Sequence, residues 1–216
     1  ASAAAQFADK NVGTGKAITV SGYSLSGVDA TNYQLTLPTD VSADITPATL
    51  NLSGLSGQTK VYDATTLANL TGTAAITALG GDRVSIDAAS AAAQFADKNV
   101  GTGKAITVSG YSLSGVDATN YQLTLPTDVS ADITPATLNL SGLSGQTKVY
   151  DATTIANLTG TAAITALGGD RVSIDAARAA AQFADKNVGT GKAITVSGYS
   201  LSGVDATNYQ LTLPTD

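Results

Sequence analysis

The chain repeats itself every 88 residues, almost without error. Gln6-Phe7-Ala8-Asp9-Lys10 returns as Gln94-Phe95-Ala96-Asp97-Lys98 and again as Gln182-Phe183-Ala184-Asp185-Lys186. Two repeat positions vary: Leu67 stands against Ile155, and Ser2 and Ser90 stand against Arg178. A fixed period of this length is too long for a helical or leucine-rich solenoid unit and matches a small domain that can fold alone. The expectation is a tandem array. Residues 1–47 are the C-terminal half of a repeat, 48–135 a complete repeat, and 136–216 a nearly complete one. The ends read as a window cut from a longer array. A catalytic site is seldom needed in several near-identical copies, whereas a spacer or a multivalent binder is.

Composition narrows the fold. All 17 acidic residues are Asp; Glu, a good helix former, is absent, and Gly, Ser and Thr are abundant. That favours short strands and tight turns. A net charge of −6 argues against nucleic acid, whose phosphates call for basic patches, and against anionic lipid. With no Cys there is neither a disulfide framework nor a thiolate metal site. No apolar run is long enough to span a membrane as a helix.

In the complete repeat, Leu50 and Leu52 alternate with polar neighbours, which predicts a half-buried strand. Gly54-Leu55-Ser56-Gly57 reads as a turn, Thr59 to Tyr62 as a second strand, and Ala74, Ile76 and Ala78 as a third. Leu79-Gly80-Gly81-Asp82 turns the chain into a strand over Val84, Ile86 and Ala88. Asp97 to Gly103 reads as a loop. Ile106 and Val108 then face one way, Tyr111 and Leu113 the other, with a bend at Gly110. After a turn over Ser114–Asn120 come Tyr121, Leu123 and Leu125, and then Val129, Ala131 and Ile133. About seven short strands of this kind predict a small all-β, antiparallel, sandwich-like domain. The Ala-rich segment from Asp87 to Phe95 could form a helix, but period-two flanks favour strand. Pro47 and Pro135 mark short extended joints without slack, which predicts a semi-rigid rod growing by on the order of 30–40 Å per repeat.

The motifs that suggest chemistry are weak. Gly101-Thr102-Gly103-Lys104 lacks both the preceding Gly and the following Ser or Thr of a phosphate loop. Gly22-Tyr23-Ser24-Leu25-Ser26 resembles a nucleophile elbow, but the chain has no His to serve as base. Asp97 with Asn99, and Asp117 with Asn120, could approach a cation; turn chemistry accounts for both more simply. Tyr111, Tyr121 and Phe95 could stack on a sugar, but each lies in phase with core positions, so core packing with the hydroxyl bonded at the rim is expected. Asn51, Asn69, Asn139 and Asn157 fit the glycosylation pattern, which arises often in a Ser/Thr-rich chain. No residue is assigned to catalysis, a cofactor or a metal, and the ligand-binding residues are unknown.

Three blocks resemble one family. Lys60-Val61-Tyr62-Asp63-Ala64-Thr65-Thr66 is similar to the K-V-Y-D-G-T-T signature of YDG repeats, with Ala64 in place of Gly. Phe95 to Lys104 resembles that family's F-A-D-K-N-V-G-T-G-K block. Asn120-Tyr121-Gln122-Leu123 with Ala131-Asp132-Ile133-Thr134-Pro135-Ala136 resembles its closing segment. The resemblance implies an all-β module arrayed in large bacterial exoproteins, similar to filamentous-haemagglutinin-type adhesins exported by two-partner secretion. The expected function is therefore a stalk or fibre repeat of a secreted or cell-surface adhesin or biofilm-matrix protein, not an enzyme and without a cofactor. Its expected partners are neighbouring repeats, with extracellular polysaccharide or lateral self-association besides. A multivalent carbohydrate-binding module is the alternative, since weak repeated sites gain avidity.

Overall fold

The computed structural model describes residues 3–214, which form short strands throughout. The first partial repeat supplies β1 (Ala4–Phe7), β2 (Gly13–Ser21) and β3 (Ser42–Ile45). The complete repeat begins with β4 (Ala48–Asn51), β5 (Ser53–Gly57), β6 (Lys60–Val61), β7 (Leu70–Ala75) and β8 (Ser85–Asp87). It continues with β9 (Ala92–Phe95), β10 (Gly101–Ser109), β11 (Ser112–Ser114), β12 (Tyr121–Thr124) and β13 (Ser130–Thr134). The last repeat begins with β14 (Ala136–Asn139), β15 (Ser141–Gly145), β16 (Leu158–Ala163) and β17 (Ser173–Asp175). It ends with β18 (Ala180–Phe183), β19 (Ile194–Ser197), β20 (Ser200–Ser202) and β21 (Tyr209–Thr212). Helical structure among the described residues is limited to three single 3-10 turns, Ala30–Asn32, Ala118–Asn120 and Ala206–Asn208. None is long and apolar enough to cross a membrane.

The chain divides into two compact units. One is the chain up to Gly54 with Thr73–Ala91 and Ser109–Pro126; the other is Leu55–Gly72, Ala92–Val108 and the chain from Thr127 onward. Neither follows the 48–135 and 136–216 boundaries. The complete repeat is shared, one half packing with residues before it and the other half with residues after it.

In the first unit, β1, β2 and β3 form an antiparallel sheet, β8 pairs antiparallel with β11, and β4 pairs parallel with β12. Leu50, Leu52 and Tyr121 form its buried core. In the second unit the largest sheet has the order β6-β13-β10-β9. Val129, Ala131 and Ile133, on and just before β13, are buried, as are Phe95, Ile106 and Val108, while Ser130 and Thr134 face out. That alternation is the period-two signature of a strand with one buried face. Pro135 follows at once, and β14 then joins a different strand, β21. A residue without an N–H suits the point where one ladder ends and another begins.

All-β structure is as expected; the pairing is not wholly antiparallel. β4 with β12, β6 with β13 and β14 with β21 are parallel. Alternation in sequence tells which side chains face inward but not the direction of the partner strand. The Ala-rich stretch is strand–turn–strand: the Ala91 N–H donates to the Ala88 carbonyl at 3.0 Å between β8 and β9. Three local readings require correction. Gly54–Gly57 lies in β5 rather than in a turn. Gly54 has φ +81°, and a Cβ there would lie 2.2 Å from the Thr73 carbonyl oxygen, so this glycine serves close approach of two backbones. The third strand is Leu70–Ala75 and stops short of Ile76 and Ala78. The loop after Asp97 ends at Val100, because β10 already begins at Gly101. The bend at Gly110 is present: φ is +75°, and a Cβ would strike the Ser90 carbonyl oxygen at 1.9 Å.

Candidate functional site

The most elaborate polar constellation joins successive repeats inside the second unit. It starts from two turns. After β9, the Asp97 carboxylate accepts the Asn99 N–H at 2.8 Å, an Asx-turn that places Lys98 and Asn99 at the tip. Lys104 binds the same carboxylate at 2.8 Å. In the next repeat, Leu167-Gly168-Gly169-Asp170 turns through two left-handed glycines, φ +58° and +77°, with the Asp170 N–H on the Leu167 carbonyl at 2.9 Å. The turn aims Asp170 at Lys98.

The Asp170 side chain is 2 % exposed and ion-pairs with Lys98. Its other oxygen accepts two tyrosine hydroxyls, Tyr62 at 2.6 Å from the preceding repeat and Tyr209 at 2.7 Å from its own. The two rings meet edge to face, centroids 5.3 Å apart at 77°, an arrangement that the ring quadrupoles favour. Lys98 also stands 5.8 Å from the Tyr62 ring centre. The Tyr209 oxygen accepts the Leu167 N–H at 3.0 Å. Beside this cluster Asn208, itself buried, accepts the Val100 N–H at 2.9 Å and donates to the Asn99 side-chain oxygen at 3.1 Å.

Burial by itself raises the pKa of Asp170, but donors from Lys98, Tyr62 and Tyr209 outweigh it and hold the carboxyl below its ordinary value. Lys98 is raised by its bond to Asp170 and then by Tyr62. Tyr209 is pushed up to about 12, by burial first and then by the adjacent carboxylate. Tyr62 is raised for the same reasons in the same order. At neutral pH the joint is thus one carboxylate, one ammonium and two neutral phenols. Every polar contact is satisfied, which is what allows a buried charge to persist.

The first unit holds the same joint one repeat earlier. Lys10 pairs with Asp82, Tyr121 donates to Asp82 at 2.7 Å and accepts the Leu79 N–H at 3.1 Å. Asn120 accepts the Val12 N–H at 2.9 Å and donates to Asn11 at 3.1 Å. The Lys10 and Tyr121 bonds hold the Asp82 carboxyl down, and its charge in turn raises Lys10 and Tyr121. Identical residues that meet no such carboxylate look different. Tyr150, the copy of Tyr62, is 54 % exposed against 2 %, and Tyr33, the copy of Tyr121, is 73 % exposed.

The residues singled out in the sequence take structural places. Asp97 and Asn99 shape the turn that presents Lys98. Asp117 accepts the Arg83 N–H at 2.9 Å, while Asn120 belongs to the joint. Among the described residues no group of His, Cys, Asp or Glu is arranged to hold a metal ion. Gly101 to Lys104 lies in β10, where the Gly103 N–H donates to Asp132 at 2.7 Å. Ser112 and Ser114, copies of Ser24 and Ser26, sit in β11. Phe95 and Tyr121 are buried and Tyr111 half-buried, as core packing requires, so the first two rings are not displayed for stacking. Asn51, Asn69, Asn139 and Asn157 are exposed. Sequence reasoning missed Lys98, Asp170 and their copies as a pair, because no local pattern links residues 72 positions apart. The available signal was a core-phase tyrosine, whose hydroxyl needs a buried partner.

The family model of the YDG domain matches residues 1–42, 46–130 and 134–216. Its second and third segments begin two residues ahead of the starts at 48 and 136 set by the prolines. No curated protein and no solved structure matched the chain.

Proposed function

Because the chain belongs to the YDG domain family, in three tandem copies, we propose that it is a structural spacer, a stalk or fibre segment of a bacterial secreted or cell-surface adhesin or biofilm-matrix protein, and that it catalyses nothing. The observation carrying this reading is the joint itself. The most buried polar chemistry of the chain, Asp170 with Lys98, Tyr62 and Tyr209, is spent on holding one repeat to the next, and Asp82 with Lys10 and Tyr121 repeats it. A catalytic carboxylate needs a substrate within reach; these are already saturated by protein donors. Joints that recur with each copy supply reach in proportion to copy number. Small-angle scattering on arrays of two, four and six repeats tests it. The maximum dimension should rise linearly with copy number, and a compact particle insensitive to length would refute the reading.

A further inference from the structure

Among the described residues, two that are not glycine hold a left-handed backbone, Ala64 at φ +62° and Ala152 at φ +64°. A Cβ makes that conformation unfavourable, and it persists only where surrounding contacts impose it. Around Ala64 those contacts come from Lys60. Its ammonium lies over the loop that follows β6. There it donates to the Asp63 carboxylate at 2.7 Å, the Thr65 carbonyl at 2.9 Å and the Leu67 carbonyl at 2.8 Å. The Thr65 hydroxyl oxygen stands 3.2 Å from it. Asp63 in turn accepts the Thr65 N–H at 2.9 Å and the Thr65 hydroxyl at 2.8 Å. The ammonium is also 5.6 Å from the centre of the Phe95 ring, a cation–π distance.

Carboxylate and carbonyl oxygens converging on one point are the donor set of a hard cation. Here the cation belongs to the chain. Burial by itself raises the Asp63 carboxyl, but donors from Lys60 and Thr65 outweigh it and hold it below its ordinary value. The last repeat builds the same cage around Ala152. Lys148 donates to Asp151 at 2.8 Å and to the Thr153 and Ile155 carbonyls at 2.9 Å each. The left-handed alanine and the caged ammonium thus occur together in both copies.

The caged loop is also the surface that meets the next repeat. Tyr62 leads into it, with its hydroxyl on Asp170 at 2.6 Å. A Cβ added to Gly168 would stand 2.6 Å from the Ala64 Cβ, so the left-handed residue packs on the Leu167–Asp170 turn itself. The far end of the loop is pinned to β9: the Phe95 N–H donates to the Thr66 carbonyl at 2.8 Å, and the Ala68 N–H to the Ala93 carbonyl at 3.0 Å. We propose that Lys60 is the positioning residue of the joint, a tethered cation that holds residues 62–67 in the shape that receives the Asp170 turn of the next repeat. Without the ammonium, Asp63 loses a donor and Ala64 relaxes toward an ordinary φ. Tyr62 and Ala64 then no longer meet Asp170 and Gly168 together. This role concerns how the joint is assembled and stands independently of the spacer reading.

The test is Lys60→Met, which keeps an unbranched stem beside Phe95 and removes the ammonium. Amide exchange, read by NMR in the segmentally labelled 216-residue chain, follows two N–H groups. Val100 donates to Asn208 across this joint at 2.9 Å, and Val12 makes the same bond to Asn120 at 2.9 Å in the other joint, away from Lys60. In Lys60→Met, Val100 should exchange at least about tenfold faster while Val12 keeps its rate. Lys148→Met makes the same change in a loop whose tyrosine, Tyr150, is exposed, and should leave Val100 unchanged. Thr65→Ala removes only the hydroxyl between Lys60 and Asp63 and should speed Val100 by a smaller factor. It also decides the matter if Lys60→Met unfolds the chain and exposes Val12. Unchanged Val100 exchange in a folded Lys60→Met chain, or in Thr65→Ala where Lys60→Met is unfolded, overturns the proposal, as does equal acceleration by Lys148→Met.

Discussion

Tyr62→Phe isolates the joint, because the chain carries its own control at Tyr150. The substitution removes one hydroxyl, the 2.6 Å donor to Asp170, and leaves the ring in its edge-to-face contact with Tyr209. Asp170 keeps Lys98 and Tyr209 as donors, so its charge is not orphaned. A hydrogen bond to a charged acceptor contributes about 1.5–3 kcal/mol, and retention of the other donors places the expected loss near the lower end, ~1.5 kcal/mol. Tyr150→Phe makes the same chemical change at a tyrosine that is 54 % exposed, where the expected change is within about 0.5 kcal/mol. Urea unfolding followed by far-UV circular dichroism and tyrosine fluorescence reads both, the latter clean because the chain has no Trp. Combining Tyr62→Phe with Tyr209→Phe should cost more than the sum of the single losses, since the two phenols share one oxygen of Asp170. Equal effects at Tyr62 and Tyr150, or no loss at Tyr62, would refute the assignment of the joint.

Asp170 has a depressed folded-state pKa, so its contribution is complete above the ordinary carboxylate value of about 4 and is lost as pH falls through the lower folded value. Tyr209 is raised to about 12, so its contribution is complete below about 10 and is lost as pH climbs toward 12. Stability measured against pH should flatten on the acid side in Asp170→Asn relative to the parent; an unchanged slope contradicts the linkage. Gly168→Ala and Gly80→Ala share a left-handed φ, +58° and +57°, but only the first would press on Ala64, at 2.6 Å. Thermal unfolding should show Gly168→Ala to be worse by about 1–3 kcal/mol, and parity would dismiss that contact. Ala152 holds φ +64°, where Gly is free of strain, so Ala152→Gly should leave stability unchanged or raise it by up to about 1 kcal/mol in a denaturant titration; a clear loss refutes strain at that turn.

Much of the fold was legible because burial and alternation coincide. Val129, Ala131 and Ile133 announce β13, and Tyr121 with Leu123 announces β12. Glycine was the chief source of error. Gly54 looks like a turn residue, yet it sits within a strand because Thr73 leaves no space for a side chain. Parallel pairing was invisible, since Leu50 would alternate identically beside a strand of either direction. The joint was the least legible part. Asn208 resembles any turn asparagine until the neighbouring repeat brings Val100 to it, and Lys98 resembles any solvated lysine until Asp170 arrives. Ala64 is the instructive exception. The expected glycine marks a left-handed position, and Ala64 adopts φ +62° all the same.

Since the complete repeat gives half of itself to each neighbour, its folding is bound to theirs. Internal copies have companions on both sides, while the outermost have one. Fraying should therefore start at the termini and travel inward, as in one-dimensional lattices with nearest-neighbour coupling. Lengthening such an assembly adds protected interior without adding vulnerable ends, so durability grows with size.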